Sequence, residues 1–170
     1  YSQHLDQLKD CDLIIEAIAA KTAWTDDLYR KIAPFISPDA IVASNTSGLS
    51  INRLSEGLPE ALRSRFCGIH FFNPPRYMHL VELIPAPASA PAMLDALETF
   101  LTTALGKGVI RAKDTPNFIA NRIGVFSILA KIHHTHAFKL GFDEVDGLAG
   151  PLAGRPKSAT YRTSDVVGLD

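Results

Sequence analysis

Basic residues are in no excess in this 170-residue chain: 17 Lys and Arg stand against 18 Asp and Glu, a formal net charge of −1. Nucleic-acid-binding domains usually carry a basic surplus, so that class of partner is not expected. Long hydrophobic runs are missing too, and no stretch has the length of a bilayer span. Tyr1 to Asp10 is polar and lacks the apolar core of a secretory signal. Cysteine is scarce: Cys11 and Cys67 are far apart and form no CxxC pair. They read as reduced, part-buried thiols of a cytoplasmic protein. No internal repeat or low-complexity segment stands out. What is present is 46% hydrophobic and 21% charged, an ordinary globular balance with room for one sizeable domain or parts of two. The chain opens on Tyr1 rather than Met and stops at "DVVGLD", where another helix is expected to continue. Both features read as a piece of a longer protein.

The apolar pattern alternates between two periods. "DLIIEA" (Asp12 to Ala17) suits a strand buried on both faces. Trp24, Leu28, Ile32 and Phe35 share one face of a helix over 24–36. On that reading Trp24 belongs to the core and Tyr29 to its edge. "AIVASNTS" (Ala40 to Ser47) is a second buried strand running into a polar loop. A helix broken by Gly57 and Pro59 follows over 51–62, then a third strand, "RFCGIHFF" (Arg65 to Phe72). Strand–helix–strand–helix–strand is the rhythm of a parallel sheet with crossover helices. After Asn73-Pro74-Pro75 come a strand over 79–85, an amphipathic helix over 93–105 closed by Gly106, and a short strand over 108–114. Thr115 as cap and Pro116 at the first position start a helix over about 117–140. It is apolar on most sides, so it is expected to be buried between other helices. The expected fold is therefore α/β over 1–114, with a domain boundary near Asp114 and a helical domain beginning at 115.

Ligands of open α/β sheets sit beyond the carboxyl ends of the strands. Ser44 to Ser47 follows the second strand, and His70 lies near the end of the third. Glu82 lies on the next strand, beyond a reversal that can bring it back alongside His70. A histidine held by a carboxylate is a general base with a fixed tautomer, although neither residue is specific alone. His133, His134 and His136 crowd the long helix without the partners a metal site wants, so an interface or pocket face is expected there. Arg63, Arg65 and Arg76 are read as surface charge, with contact to a phosphate as the alternative.

"ASNTSGLSI", "GIHFFNPP…LVELI" and "KDTPNFIANRI", in this order, resemble the L-3-hydroxyacyl-CoA dehydrogenase family of fatty-acid β-oxidation. "DLIIEAI" and "GRPKSATYRTSDVVGLD" agree, and the last segment is most similar to the long multidomain members. The resemblance spans nearly the whole chain. It implies the C-terminal part of an NAD-binding Rossmann domain over 1–114. It also implies the start of an all-helical domain over 115–170 that closes over acyl-CoA and forms a homodimer. His70 would take the proton of the substrate 3-hydroxyl, and Glu82 would orient His70 and balance its charge. Ser47 would lie near the substrate oxygen and nicotinamide, Asn121 would hold the substrate, and Asn73 would help position nicotinamide and substrate. The family's GxGxxG loop and its acidic ribose-binding residue lie upstream of the segment that this chain matches, and neither is found in its 170 residues. A glutamate and a lysine that touch the cofactor in the family are matched by Ala20 and Thr25, and Asn117 stands where a glycine is usual. A related dehydrogenase of a small hydroxy acid (gulonate or carnitine) and a non-catalytic dimerisation or docking segment are the competing expectations.

Overall fold

The computed structural model describes residues 2–18 and 21–167; Ala20, one of the two cofactor-position departures, lies outside them. The chain divides into two compact units, Tyr1–Ile119 and Ala120–Asp170.

The first unit is built on a five-stranded sheet of β1 (Leu13–Glu16), β2 (Ile41–Ser44), β3 (Phe66–Phe71), β4 (Leu80–Pro85) and β5 (Gly108–Arg111), in that spatial order. β1, β2 and β3 are parallel, β4 runs antiparallel to β3, and β5 is parallel to β4. Helices α1 (Thr22–Ile32), α2 (Ile51–Gly57) and α3 (Glu60–Arg63) make the first crossovers, and α4 (Pro91–Thr103) connects β4 to β5. Successive strand side chains alternate between faces, and two cores result. Val42, Phe66 and Ile84 pack with Tyr29, Ile51 and Leu54 on one face. Ala43, Cys67, Ile69, Val81 and Leu83 pack with Leu94, Leu97 and Leu101 on the other.

Several elements differ from expectation. On α1 the buried residues are Thr25, Tyr29 and Ile32. Tyr29 is fully buried, edge-on to Phe66 with ring centroids 5.8 Å apart, whereas Trp24 is 53% exposed. The inward face of α1 is thus turned from the one its bulkiest apolar residue suggests. The amphipathic Trp24 ring lies outside under the Lys21 ammonium, 4.4 Å from its centroid. The interrupted helix over 51–62 is two separate helices, because Leu58 and Pro59 are extended (ψ 148° and 139°).

The largest difference is at Thr115–Ile119. The helix expected from Asn117 starts only at Ala120 (α5, Ala120–Phe138). Asn117 (φ +62°) and Phe118 (φ +48°) are both left-handed, which no right-handed helix accommodates. Asparagine tolerates this region better than most residues. Phe118 holds it because its ring is buried in the first core.

The second unit contains α5, α6 (Phe142–Ala149) and α7 (Tyr161–Val167). Asp146 of α6 accepts from the N–H groups of Thr160 (2.9 Å), Tyr161 (2.8 Å) and Arg162 (3.1 Å), and so caps α7. Tyr161 donates its hydroxyl to Thr135 at 2.7 Å and stacks on Phe142. The expected burial of α5 is not observed among the described residues. Thr135 is its one buried residue, and Ile123, Phe126, Leu129 and Phe138 are exposed. The apolar composition of α5 exceeds what α6 and α7 cover. No helix among the described residues is long and apolar enough to cross a membrane.

Candidate active site

His70 and Glu82 stand directly opposite each other in the antiparallel β3–β4 pair. Side chains so placed are close neighbours on one face of a sheet. Strand parity puts that face with Phe66 and Ile84, in the first core. Gly68 lies between Phe66 and His70 on this face. A Cβ there would sit 2.7 Å from Ile51 Cδ1 and 3.1 Å from Ile84 Cβ. The glycine therefore lets the start of α2 lie against β3 just before the histidine.

The His70 Nδ1 is 2.7 Å from Glu82 Oε2. His70 is 2% exposed and Glu82 not at all. A carboxylate oxygen accepts, so Nδ1 carries the proton and donates; this tautomer is assigned from the bonding pattern. It leaves Nε2 as the acceptor. Glu82 Oε1 accepts from the Ile119 N–H at 2.9 Å. Both carboxylate oxygens are therefore engaged, one by the histidine and one by the backbone at the end of the left-handed turn. The rings of Phe72 (4.5 Å between centroids) and Phe118 (5.5 Å) flank the imidazole. A buried base between aromatic rings works with little competing water.

The carboxyl ends of β1 and β2 complete this part of the sheet. Glu16, nearly buried, accepts from Ser44 Oγ and the Ile18 N–H, each at 2.6 Å. Asn45 Oδ1 accepts from the Phe71 N–H at 3.0 Å, joining the loop after β2 to the end of β3. Ser47 is exposed in that loop, and Thr46 Oγ1 closes it by accepting from Leu49 N–H at 2.9 Å. Asn73 is exposed and precedes Pro74 through a cis peptide bond. Its loop is held by Lys107, whose ammonium donates to Pro75 O (2.5 Å) and Met78 O (2.8 Å).

Ser47, Asn73 and the His70–Glu82 pair thus all belong to the first unit, at or just beyond strand ends. Asn121 is the second residue of α5, half-buried in the other unit. Thr25 is buried and its hydroxyl turns back to Lys21 O, so it offers no group to a ligand. Arg63 and Arg65 are committed to main-chain carbonyls: Arg63 to Leu58 and Glu56, Arg65 to Ser37, Ala40 and Ala61. They tie loops together at the surface, a structural role that the reading as plain surface charge did not include. His133 and His134 pack edge-on on α5, and no cluster of metal-ligating side chains occurs among the described residues.

Sequence reasoning missed Ile119 and Phe118. The Ile119 contribution is a backbone N–H and has no side-chain signature. Asn117, a residue at ease with positive φ, is the one signal that could have marked a turn there. The exposed neutral polar groups beyond β2 and β3 fit the nicotinamide end of a dinucleotide, which needs hydrogen-bond partners without charge. Pyrophosphate usually takes a glycine-rich turn at a helix N-terminus, and no such turn occurs among the described residues.

The family model described as "3-hydroxyacyl-CoA dehydrogenase, NAD binding domain" matches residues 1–115. A probable 3-hydroxyacyl-CoA dehydrogenase of Deinococcus radiodurans is 45% identical over 98% of this chain and 48% of its own length. A putative fatty acid oxidation complex trifunctional enzyme of Rickettsia prowazekii is 42% identical over 98% of this chain and 23% of its own. The crystal structure of (S)-3-hydroxybutyryl-CoA dehydrogenase from Ralstonia eutropha superposes with a TM-score of 0.85 at 32% identity, covering 98% of this chain and 57% of that one. The chain thus spans about half the length of such relatives, or less. With a buried His–Glu pair beside parallel strand ends and this match over most of its length, the chain belongs to the 3-hydroxyacyl-CoA dehydrogenase family, and its first 115 residues to that family's NAD-binding domain.

Proposed function

We propose that the protein carrying this chain oxidises (S)-3-hydroxyacyl-CoA to 3-ketoacyl-CoA with NAD in fatty-acid β-oxidation. The observation that carries the reading is the buried His70–Glu82 pair at 2.7 Å. His70 Nε2 accepts the 3-hydroxyl proton of the substrate as C3 gives up hydride. Glu82 Oε2 keeps the proton of the resting imidazole on Nδ1 and faces the imidazolium that forms. Its other oxygen, on the Ile119 N–H, keeps the carboxylate from rotating away. Phe72 and Phe118 keep water from the ring. NAD, when bound, supplies the hydride acceptor. Ser47 and Asn73 hold the nicotinamide end and the substrate oxygen, and Asn121 holds the substrate from the helical unit. These neutral groups orient reactants without shifting charge at the reacting carbon.

In the same reading, residues 1–114 form the later part of the NAD-binding domain. Residues 115–170 begin the helical domain that closes over acyl-CoA and forms a homodimer. The exposed apolar side chains of α5 support a covered role for that helix. The free thiols Cys11 and Cys67 suit the cytoplasm.

The test is steady-state kinetics on the full-length protein with acetoacetyl-CoA and NADH, and in reverse with (S)-3-hydroxybutyryl-CoA and NAD. His70→Gln keeps a polar side chain but removes the base, and kcat should fall by about 10²–10⁴-fold. Near-full kcat in that variant would reduce His70 to a satisfied core histidine.

A further inference from the structure

Asp114 follows β5, on the segment leading out of the first unit. One of its carboxylate oxygens accepts from the Ser50 hydroxyl at 2.7 Å and the Asn52 N–H at 2.9 Å; the other accepts from the Ile51 N–H at 3.0 Å. The first N–H groups of a helix have no partner inside it. Here Asp114, a side chain 64 residues from Ser50, accepts from the first two, while the Ser50 hydroxyl accepts from the Arg53 N–H at 3.2 Å. α2 has seven residues, a length that does not hold itself as an isolated helix. Its start is therefore fixed by what it touches: Asp114 at the cap, and β3 beneath buried Ile51.

Two parts of the site meet at this carboxylate. The first is the loop that carries Ser47. It leaves β2 at Ser44, anchored on Glu16, and ends at Ser50, anchored on Asp114. The second is the turn that Asp114 begins. Phe118 N–H bonds back to Thr115 O at 2.9 Å, the Phe118 ring lies against His70, and the Ile119 N–H reaches Glu82. A shift of Asp114 moves both the Ser47 loop and the backbone that holds the carboxylate of the dyad.

We propose that Asp114 is a positioning residue of the dehydrogenase site: it locks the Ser47 loop and the Asp114–Ile119 turn in one register, and acts on catalysis through Ser47 and Glu82. It touches neither base nor substrate. The proposal rests on the function proposed above. Its physical content is that oriented catalysis is steep in distance, a misplacement of about 1 Å costing about 10²-fold.

The experiment compares Asp114→Asn and Asp114→Glu in the full-length protein. Asparagine keeps the shape but in either orientation turns its amide NH₂ toward a backbone N–H, that of Ile51 or that of Asn52. Glutamate keeps both acceptors. Asp114→Asn should lower kcat about ten- to a hundredfold with far smaller changes in KM, and Asp114→Glu should recover most of the loss. Combined with Glu82→Gln, the Asp114→Asn effect on kcat should shrink, because the two act on one unit. Amide hydrogen exchange gives a reading that needs no turnover: Ile119 and Leu49 should exchange faster in Asp114→Asn, and Ile69 in β3 should not. Near-unchanged kcat in folded Asp114→Asn, an equal loss with and without Glu82→Gln, or unchanged exchange at Ile119 each overturns the proposal and leaves Asp114 a helix cap. Absence of turnover in the wild-type protein would instead overturn the dehydrogenase reading, and exchange at Ile119 and Leu49 would then decide the positioning role alone.

Discussion

Replacing Glu82 by glutamine is nearly isosteric, yet no orientation of the amide keeps both the Ile119 bond and the tautomer that the base needs. Both carboxylate oxygens accept: Oε2 from His70 Nδ1–H at 2.7 Å and Oε1 from the Ile119 N–H at 2.9 Å. An amide has one oxygen. If that oxygen faces His70, the NH₂ meets the Ile119 N–H, donor against donor, in a place with no solvent access to Glu82. An unmet buried donor costs about 1–3 kcal/mol. If the oxygen faces Ile119, the NH₂ donates to Nδ1, and the imidazole must carry its proton on Nε2. Both of these bonds are then made, but the base has lost its acceptor. The arrangement that makes both is favoured by the same 1–3 kcal/mol, which is about 5- to 150-fold in population. Most molecules should therefore hold the wrong tautomer. The glutamine also removes the charge that faces the imidazolium, so kcat should fall by about 10²–10⁴-fold. Two measurements check this on the full-length protein: ¹⁵N NMR of the His70 ring, which distinguishes the tautomers, and steady-state kinetics. A Glu82→Gln protein with the Nδ1–H tautomer and near-normal kcat would refute the reasoning.

Gly68→Ala places a methyl 2.8 Å from Ile51 Cγ1 and 3.1 Å from Ile84 Cβ; overpacking of this kind should lower stability by about 1–3 kcal/mol in denaturant unfolding, and an unchanged midpoint would mean that α2 is not pressed against β3. Burial pushes the Cys67 thiol up to about 12, so in the native protein at neutral pH Cys67 should resist a thiol reagent until unfolding, and rapid labelling would contradict its place in the core. Burial by itself would raise the Asp146 carboxyl, but the N–H groups of Tyr161, Thr160 and Arg162 outweigh it and hold the group below its ordinary value. A depressed folded value means a contribution fully present above the unfolded value of about 3.9 and lost as pH falls through the lower folded one. The Ser164 amide of α7 should thus keep its exchange protection down to about pH 4 and lose it only in stronger acid; loss already near neutral pH would go against the cap.

The α/β frame was legible because it follows from period. "AIVAS" and "RFCGIHFF" are buried on both faces and sit among helical stretches, the pattern of a covered parallel sheet, whereas "DLIIEA", expected to be buried in the same way, forms the edge strand β1 with Ile15 exposed. His70 and Glu82 could be paired on paper because two strands joined by a proline-rich reversal allow few registers. The face that α1 turns inward was not legible. Hydrophobicity alone points to Trp24, and only the space beside Phe66 decides for Tyr29. Nor was the turn at Thr115–Ile119, where a proline after a capping threonine reads locally as a helix start. What the residues determine by themselves is which segments must be buried and which side chains can do chemistry. The tertiary structure decides where backbone donors find acceptors. Ile119 N–H on Glu82, and Ile51 and Asn52 N–H on Asp114, pair groups far apart in the chain. Every residue but proline carries such a donor, so no residue type marks the one that the site will use.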